Sequence, residues 1–154
     1  MSHTARLAFF QLAPASMQAM IKLSATVKNG PLGARLVELV NLRVSQINGC
    51  GMCIDMHWRD LMRQEVEPRH INAVSGWREA PFFSERERAA LHWAELVNAI
   101  PNKDPQDEDF ARLQAYFSDG EIAELGYAIA VIRGWNMLNV GFRNPIPETP
   151  APGM

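Results

Sequence analysis

The chain is short of cysteine, of tyrosine and of net charge: its 154 residues hold two Cys and two Tyr, and 15 Lys and Arg stand against 17 Asp and Glu, for a formal charge of −2. With no cluster of basic residues to neutralise a run of phosphates, a nucleic-acid surface is excluded. No apolar stretch is long enough to cross a bilayer, which excludes a membrane-spanning helix. The start, Met1-Ser-His-Thr-Ala-Arg6, has no basic segment followed by an apolar run and a small-residue cleavage site, so a cytoplasmic protein is expected. Two cysteines cannot make a disulfide scaffold, and none is needed. A chain of this length with 47% hydrophobic residues can bury its own core. Strand alternation at hairpin spacing is missing too, as is any internal repeat, so a sheet protein is excluded.

What is present is helical periodicity. Apolar residues at Met17, Met20, Ile21, Leu23 and Val27 predict a helix over about 14 to 28, stopped by Asn29-Gly30-Pro31. A second, about 32 to 47, places Leu36, Leu39, Val40, Val44 and Ile47 on one side. The other side carries a polar stripe of Arg35, Glu38, Asn41, Ser45 and Asn48. A third is expected over about 50 to 66, and a shorter one from Pro68 through Ile71, Val74 and Trp77. Ser84-Glu-Arg-Glu87 reads as a capping box opening a helix to about Ile100, and Asp104-Pro105 as the start of another ending near Phe117. Ser118-Asp-Gly-Glu121 repeats the box before Ile122 to Ile132, which is apolar almost all round and so is expected to be central. The expectation is an all-α fold of six to seven helices in one compact domain spanning 1–154, with a core of about 14–142. Four prolines, Pro145, Pro147, Pro150 and Pro152, make residues 143–154 a tail that cannot be helical. Such a segment is normally a loose tail; the alternative is that it docks on its own or a neighbouring subunit.

Chemistry concentrates in one place. On a helix beginning near Cys50, residues three and four apart share a face, so Cys50, Cys53 and His57 project together as a dithiol with a base. Asn48 and Gly49 read as a stop and restart between helices, with Asn48 as the cap of the second. A cysteine in a first helical turn sits in partial positive charge, which favours thiolate. Glu38, on the preceding helix, can polarise His57 directly or through water. Taken singly, each residue has a plainer reading. The cysteines are small buried hydrophobes, Glu38 pairs with Arg35 one turn away, and His57, His70 and His92 sit at the core edge. Met52, Met56 and Met62 read as packing, and Trp135-Asn136 as core plus a helix-ending hydrogen bond, or as a pocket wall.

In combination, Glu38, Cys50-Gly-Met-Cys53 and His57 resemble the core motif of the AhpD-like alkylhydroperoxidases within the carboxymuconolactone decarboxylase superfamily. The resemblance extends through Trp77-Arg-Glu-Ala-Pro-Phe-Phe-Ser84 and Leu91-His-Trp-Ala-Glu95 to Trp135-Asn136 and Asn139, covering roughly residues 30 to 142. It implies an all-helical subunit assembled into trimers or hexamers, with thiol-dependent peroxidase or disulfide-exchange activity and no cofactor. By resemblance Cys53 attacks a peroxide, Cys50 resolves the sulfenic acid, and Glu38 with His57 relays protons. An outside thiol then reduces the disulfide, a lipoylated or other dithiol protein in the best-known branch. Helix-end electrostatics alone favours Cys50 as the more acidic and exposed thiol. The sequence departs from the family at Met52, where a proton-bearing side chain is common before the second cysteine; such a change weakens the relay while leaving disulfide exchange intact. Other readings are a disulfide exchanger or redox sensor, a zinc site of Cys50, Cys53 and His57 with Glu38 or water, and a lactone decarboxylase, against which the presence of both cysteines counts.

Overall fold

Turns and caps set the order of the elements. In the computed structural model, which describes residues 4–149, Pro14 opens α2 (Pro14–Lys28) after the single turn α1 (Phe9–Leu12). Gly33, at φ 81°, leads into α3 (Ala34–Asn48), and Gly49, at φ 69°, ends it in the left-handed conformation that glycine adopts without a Cβ penalty. Then come α4 (Gly51–Arg63), α5 (Pro68–Asn72) with a 3₁₀ turn over Ala73–Gly76, α6 (Glu85–Asn98), α7 (Asp107–Gln114) and α8 (Asp119–Gly141). Helices α2 to α8 are the seven expected; α1 is an addition. No strand occurs among the described residues, and the fold is all-α. No helix among them is long and apolar enough to cross a membrane.

Both serine capping boxes form, Ser84 with Glu87 and Ser118 with Glu121, each side chain satisfying the other's free backbone N–H. The start of α7 is a correction. Asp104 does not cap it; Gln106 does, with the Asp109 carboxylate accepting from the Gln106 backbone N–H at 3.0 Å. The box was hidden because glutamine stands where serine or threonine usually does. Helix α8 also runs past Ile132 to Gly141.

The hub is α3, not α8. One side of α3 places Val37, Val40 and Val44 against Ala90 and Ala94 of α6 and Leu125, Ala128, Ile129 and Ile132 of α8. Its other side packs Leu39 and Leu42 against Leu61, Ile71, Val74, Trp77, Phe83 and Leu91. The apolar run of α8 is central as expected, with Leu125, Ala128, Ile129, Val131 and Ile132 buried, while Tyr127 within it and Met137 and Val140 beyond it are exposed. Near its C-terminal end α3 is pinned by polar contacts. Asn48 Nδ2 donates to Asn98 Oδ1 of α6 and to Asn136 Oδ1 of α8, each at 3.0 Å, and Asn136 Nδ2 donates to Ser45 Oγ at 3.0 Å. Asn136 therefore clamps helices together instead of ending one.

The α8 cap makes a pH-dependent contribution. Glu121 is held down at about 2, from an ordinary 4.5, first by the hydrogen bond from Arg86 and next by the Ser118 backbone N–H. A depressed carboxylate contributes stability that is full above its unfolded value and is lost as pH falls through the folded one. The melting temperature of the wild type should therefore exceed that of Glu121→Gln at neutral pH, with the gap closing between pH 4.5 and about 2. A gap that stays constant over that window would show that the charge contributes nothing.

The chain after α8 folds back. Asn144 N–H donates to Asn139 O at 2.8 Å, and the Ile146 side chain lies so close over Gly51 that a Cβ there would meet it at 3.0 Å. The first part of the expected tail thus docks on its own subunit; Pro150 and Pro152 lie outside the described residues.

Candidate functional site

The reversal at Gly49 turns the chain so that Cys50, not Asn48, caps α4: its sulfur accepts the Cys53 backbone N–H at 3.3 Å, while its own N–H donates to Ser45 O at 3.0 Å. Asn48 is taken up by the asparagine clamp on α6 and α8, which is why it is not free to cap. Cys50 and Cys53 form a disulfide. Both are 1% exposed, so the expectation of a distinctly exposed first cysteine does not hold in this oxidised form. Their surroundings differ all the same. Asn139 of α8 donates its amide to Cys53 Sγ at 3.4 Å and accepts from Asn144 at 2.8 Å. Cys50 instead lines a cavity of about 280 Å³ with Met52, Asn139, Arg143, Pro145 and Ile146. Asn144 and Ile146, absent from the sequence reading of the site, build this wall; proline content in the tail obscured them.

One turn beyond Cys53 lies His57. Its Nδ1 is 2.6 Å from Glu38 Oε2, so the carboxylate holds the ring directly and not through water. Glu38 is 2% exposed and His57 is 5% exposed. His57 Nε2 is buried without a hydrogen-bond partner. With a proton on Nδ1 facing the carboxylate, Nε2 carries the lone pair and is free to accept. Glu38 is not paired with Arg35, which bonds Glu87 at 3.1 Å. The inward direction of Glu38 brings Oε1 to Lys28 Nζ at 2.9 Å instead. Lys28 also bonds Asp60 Oδ2 at 2.9 Å. Burial pulls the lysine down most, but hydrogen bonds to Asp60 and Glu38, with their charges, together raise it above its ordinary 10.5. Nothing in the local pattern marked Lys28 or Asp60, because the contact is made between helices. A second cavity, about 160 Å³, is bordered by Lys28, Glu38, His57, Asp60, Met56 and Trp135. Trp135 is thus a cavity wall, with its Nε1 donating to Ser24 Oγ at 2.9 Å.

The remaining candidates are structural. His92 Nε2 is 2.9 Å from Asp109 Oδ1, and His70 sits edge-on to Phe83 with ring centroids 4.4 Å apart. Met52 packs against the core and accepts from Asn144 Nδ2 at 3.0 Å. As for zinc, the two sulfurs are committed to each other here. Ligand atoms of Glu38, His57 and Asp60 do come within 4.8 Å of one another, but the Lys28 ammonium bonds two of those three.

This arrangement can be set beside known proteins. Residues 14–96 match the model of the carboxymuconolactone decarboxylase family. YdfG of Bacillus subtilis (strain 168), an uncharacterized protein, is 31% identical over 139 residues, which are 90% of this chain and 95% of that one. Protein ATU0492 of Agrobacterium tumefaciens, of unknown function and grouped with the antioxidant-defence protein AhpD, superposes with a TM-score of 0.90 at 36% identity over 95% of this chain and all of its own. The debrominase Bmp8, solved with 2,3,4-tribromopyrrole, shares the fold at 22% identity, with a TM-score of 0.77 over 90% of this chain and 74% of its own.

Proposed function

Since the chain belongs to the carboxymuconolactone decarboxylase family, as an AhpD-like member, we propose that it is a thiol-dependent peroxidase of the alkylhydroperoxidase type, working as one AhpD-like domain in the cytoplasm. The observation that carries this is the buried Glu38–His57 pair one helical turn from a disulfide whose Cys53 sulfur also receives the Asn139 amide. In the reduced form Cys53 thiolate attacks the O–O bond of a hydroperoxide; the bond breaks, sulfur gains one oxygen as sulfenic acid, and the departing alkoxide takes a proton from the relay to leave as alcohol. Cys50 thiol then displaces water from the sulfenic acid and closes the disulfide. Two equivalents of an external thiol restore the dithiol and leave as their own disulfide, with a lipoylated or other dithiol protein as the reductant.

The surface supports assembly with copies of itself, a trimer or hexamer, through the exposed Tyr127, Met137 and Val140 of α8. A second reading, disulfide exchange without peroxide turnover, is favoured by Met52, whose sulfur between the cysteines brings no proton donor to the leaving alkoxide. Cumene hydroperoxide consumption with a dithiol reductant separates the two. Turnover by the wild type that disappears in Cys50→Ser supports the peroxidase. No turnover, with the dithiol still cycling reversibly, transfers the conclusion to exchange.

A further inference from the structure

Glu38 is the deepest carboxylate among the described residues, and the histidine does not hold it alone. While Oε2 faces His57 Nδ1 at 2.6 Å, Oε1 accepts from Lys28 Nζ at 2.9 Å. The same ammonium bonds Asp60 Oδ2 at 2.9 Å, and Asp60 Oδ1 is tied to Arg63 at 2.6 Å. Four side chains from three helices thus form one series, from Asp60 through Lys28, which is 37% exposed, and Glu38 to the imidazole beside the disulfide. From α8 the same cavity receives Ala128, Val131, Ile132 and Trp135, and from α3 Asn41, none of which titrates. The charges that bear on Glu38 are therefore His57, Lys28 and Asp60, with Arg63 behind.

We propose that Lys28 is a positioning residue of the Glu38–His57 relay: its ammonium takes the place between Glu38 and Asp60 that a divalent cation would fill, and holds the Glu38 carboxylate aimed at the imidazole. The proposal rests on the reading of Glu38 and His57 as a proton relay. Two carboxylates this near each other repel, and without a cation between them Glu38 is pushed off the line to His57. A displaced Glu38 no longer fixes the proton on His57 Nδ1, and Nε2 loses its role as acceptor.

The test is the pH profile of Cys53 alkylation by iodoacetamide in the reduced protein, read from the mass of the Cys53 peptide and needing no peroxide turnover. In Lys28→Met the acid limb should move up by about one pH unit, and Lys28→Arg should restore it. Asp60→Asn, which leaves the cation to Glu38 alone, should move the limb down, an opposite shift that a merely structural contact would not produce. It is readable even where Lys28→Met folds poorly. Profiles of Lys28→Met and Asp60→Asn that superpose on the wild type, beside a displaced Glu38→Gln profile, would overturn the role of Lys28. Were Glu38→Gln unmoved as well, the relay reading itself would fail and Lys28 with it.

Discussion

Cys53→Ser is expected to remove peroxide consumption altogether, a fall of at least about 10³-fold, because a serine hydroxyl is not ionised near neutral pH and has no sulfur to oxidise. Cys50→Ser should behave differently. It should consume about one equivalent of peroxide in a burst and then stall, since Cys53 can still be oxidised but nothing condenses with its sulfenic acid. The contrast decides a competition visible in the structure. Cys50 has the helix end in its favour, capping α4 and accepting the Cys53 N–H at 3.3 Å. Cys53 has the Asn139 amide at 3.4 Å and the base one turn away on the same face. Proton delivery to the leaving alkoxide requires the base, and only the second position combines it with a stabilised sulfur. A burst retained in Cys53→Ser and lost in Cys50→Ser would reverse the roles; rapid-mix peroxide assays with sulfenic-acid trapping read it directly.

Glu38→Gln carries the second large effect. The substitution keeps shape but replaces an acceptor-only group by one that can turn its NH₂ toward His57 Nδ1. The ring would then carry its proton on Nε2, the wrong tautomer for accepting one. A fall in turnover of about 10²- to 10⁴-fold is expected, the range for loss of general acid–base assistance. The same change removes one of the two anions that Lys28 contacts, so the melting temperature should also drop. Single-turnover oxidation measured well below that temperature separates the two consequences. More than half the wild-type rate in the folded variant would mean that the carboxylate is structural only.

The arrangement also reconciles burial with the proposed reactivity. A disulfide whose two cysteines are each 1% exposed is shielded from bulk solvent, yet Cys50 faces a cavity of about 280 Å³. The wall of that cavity is the segment Asn144 to Ile146, held to Asn139 by two hydrogen bonds. Asn139 thus supports the wall and the Cys53 sulfur with one side chain.

The sequence by itself determined the seven helices α2 to α8, because amphipathic period, proline starts and two serine capping boxes are local signals, each readable within a few residues. It also indicated the inner members of the candidate site. Cys50, Cys53 and His57 share a face through helical spacing alone, and Glu38 stands out as a carboxylate on the stripe leading to them. It could not place Lys28 and Asp60 on the far side of that carboxylate, since their contact depends on how α2, α3 and α4 cross. Nor could it tell that Asn48 would leave the cap to Cys50, because Asn98 and Asn136, the partners that claim it, come from helices distant in the chain. The apolar sequence of α8 marked a central helix, and Leu125, Ala128, Ile129 and Ile132 do enter the core, but that α3 is the hub was not legible: hydrophobicity sets what wants to leave water, while only packing decides which elements cover it and which residues, like Tyr127 and Met137, remain exposed.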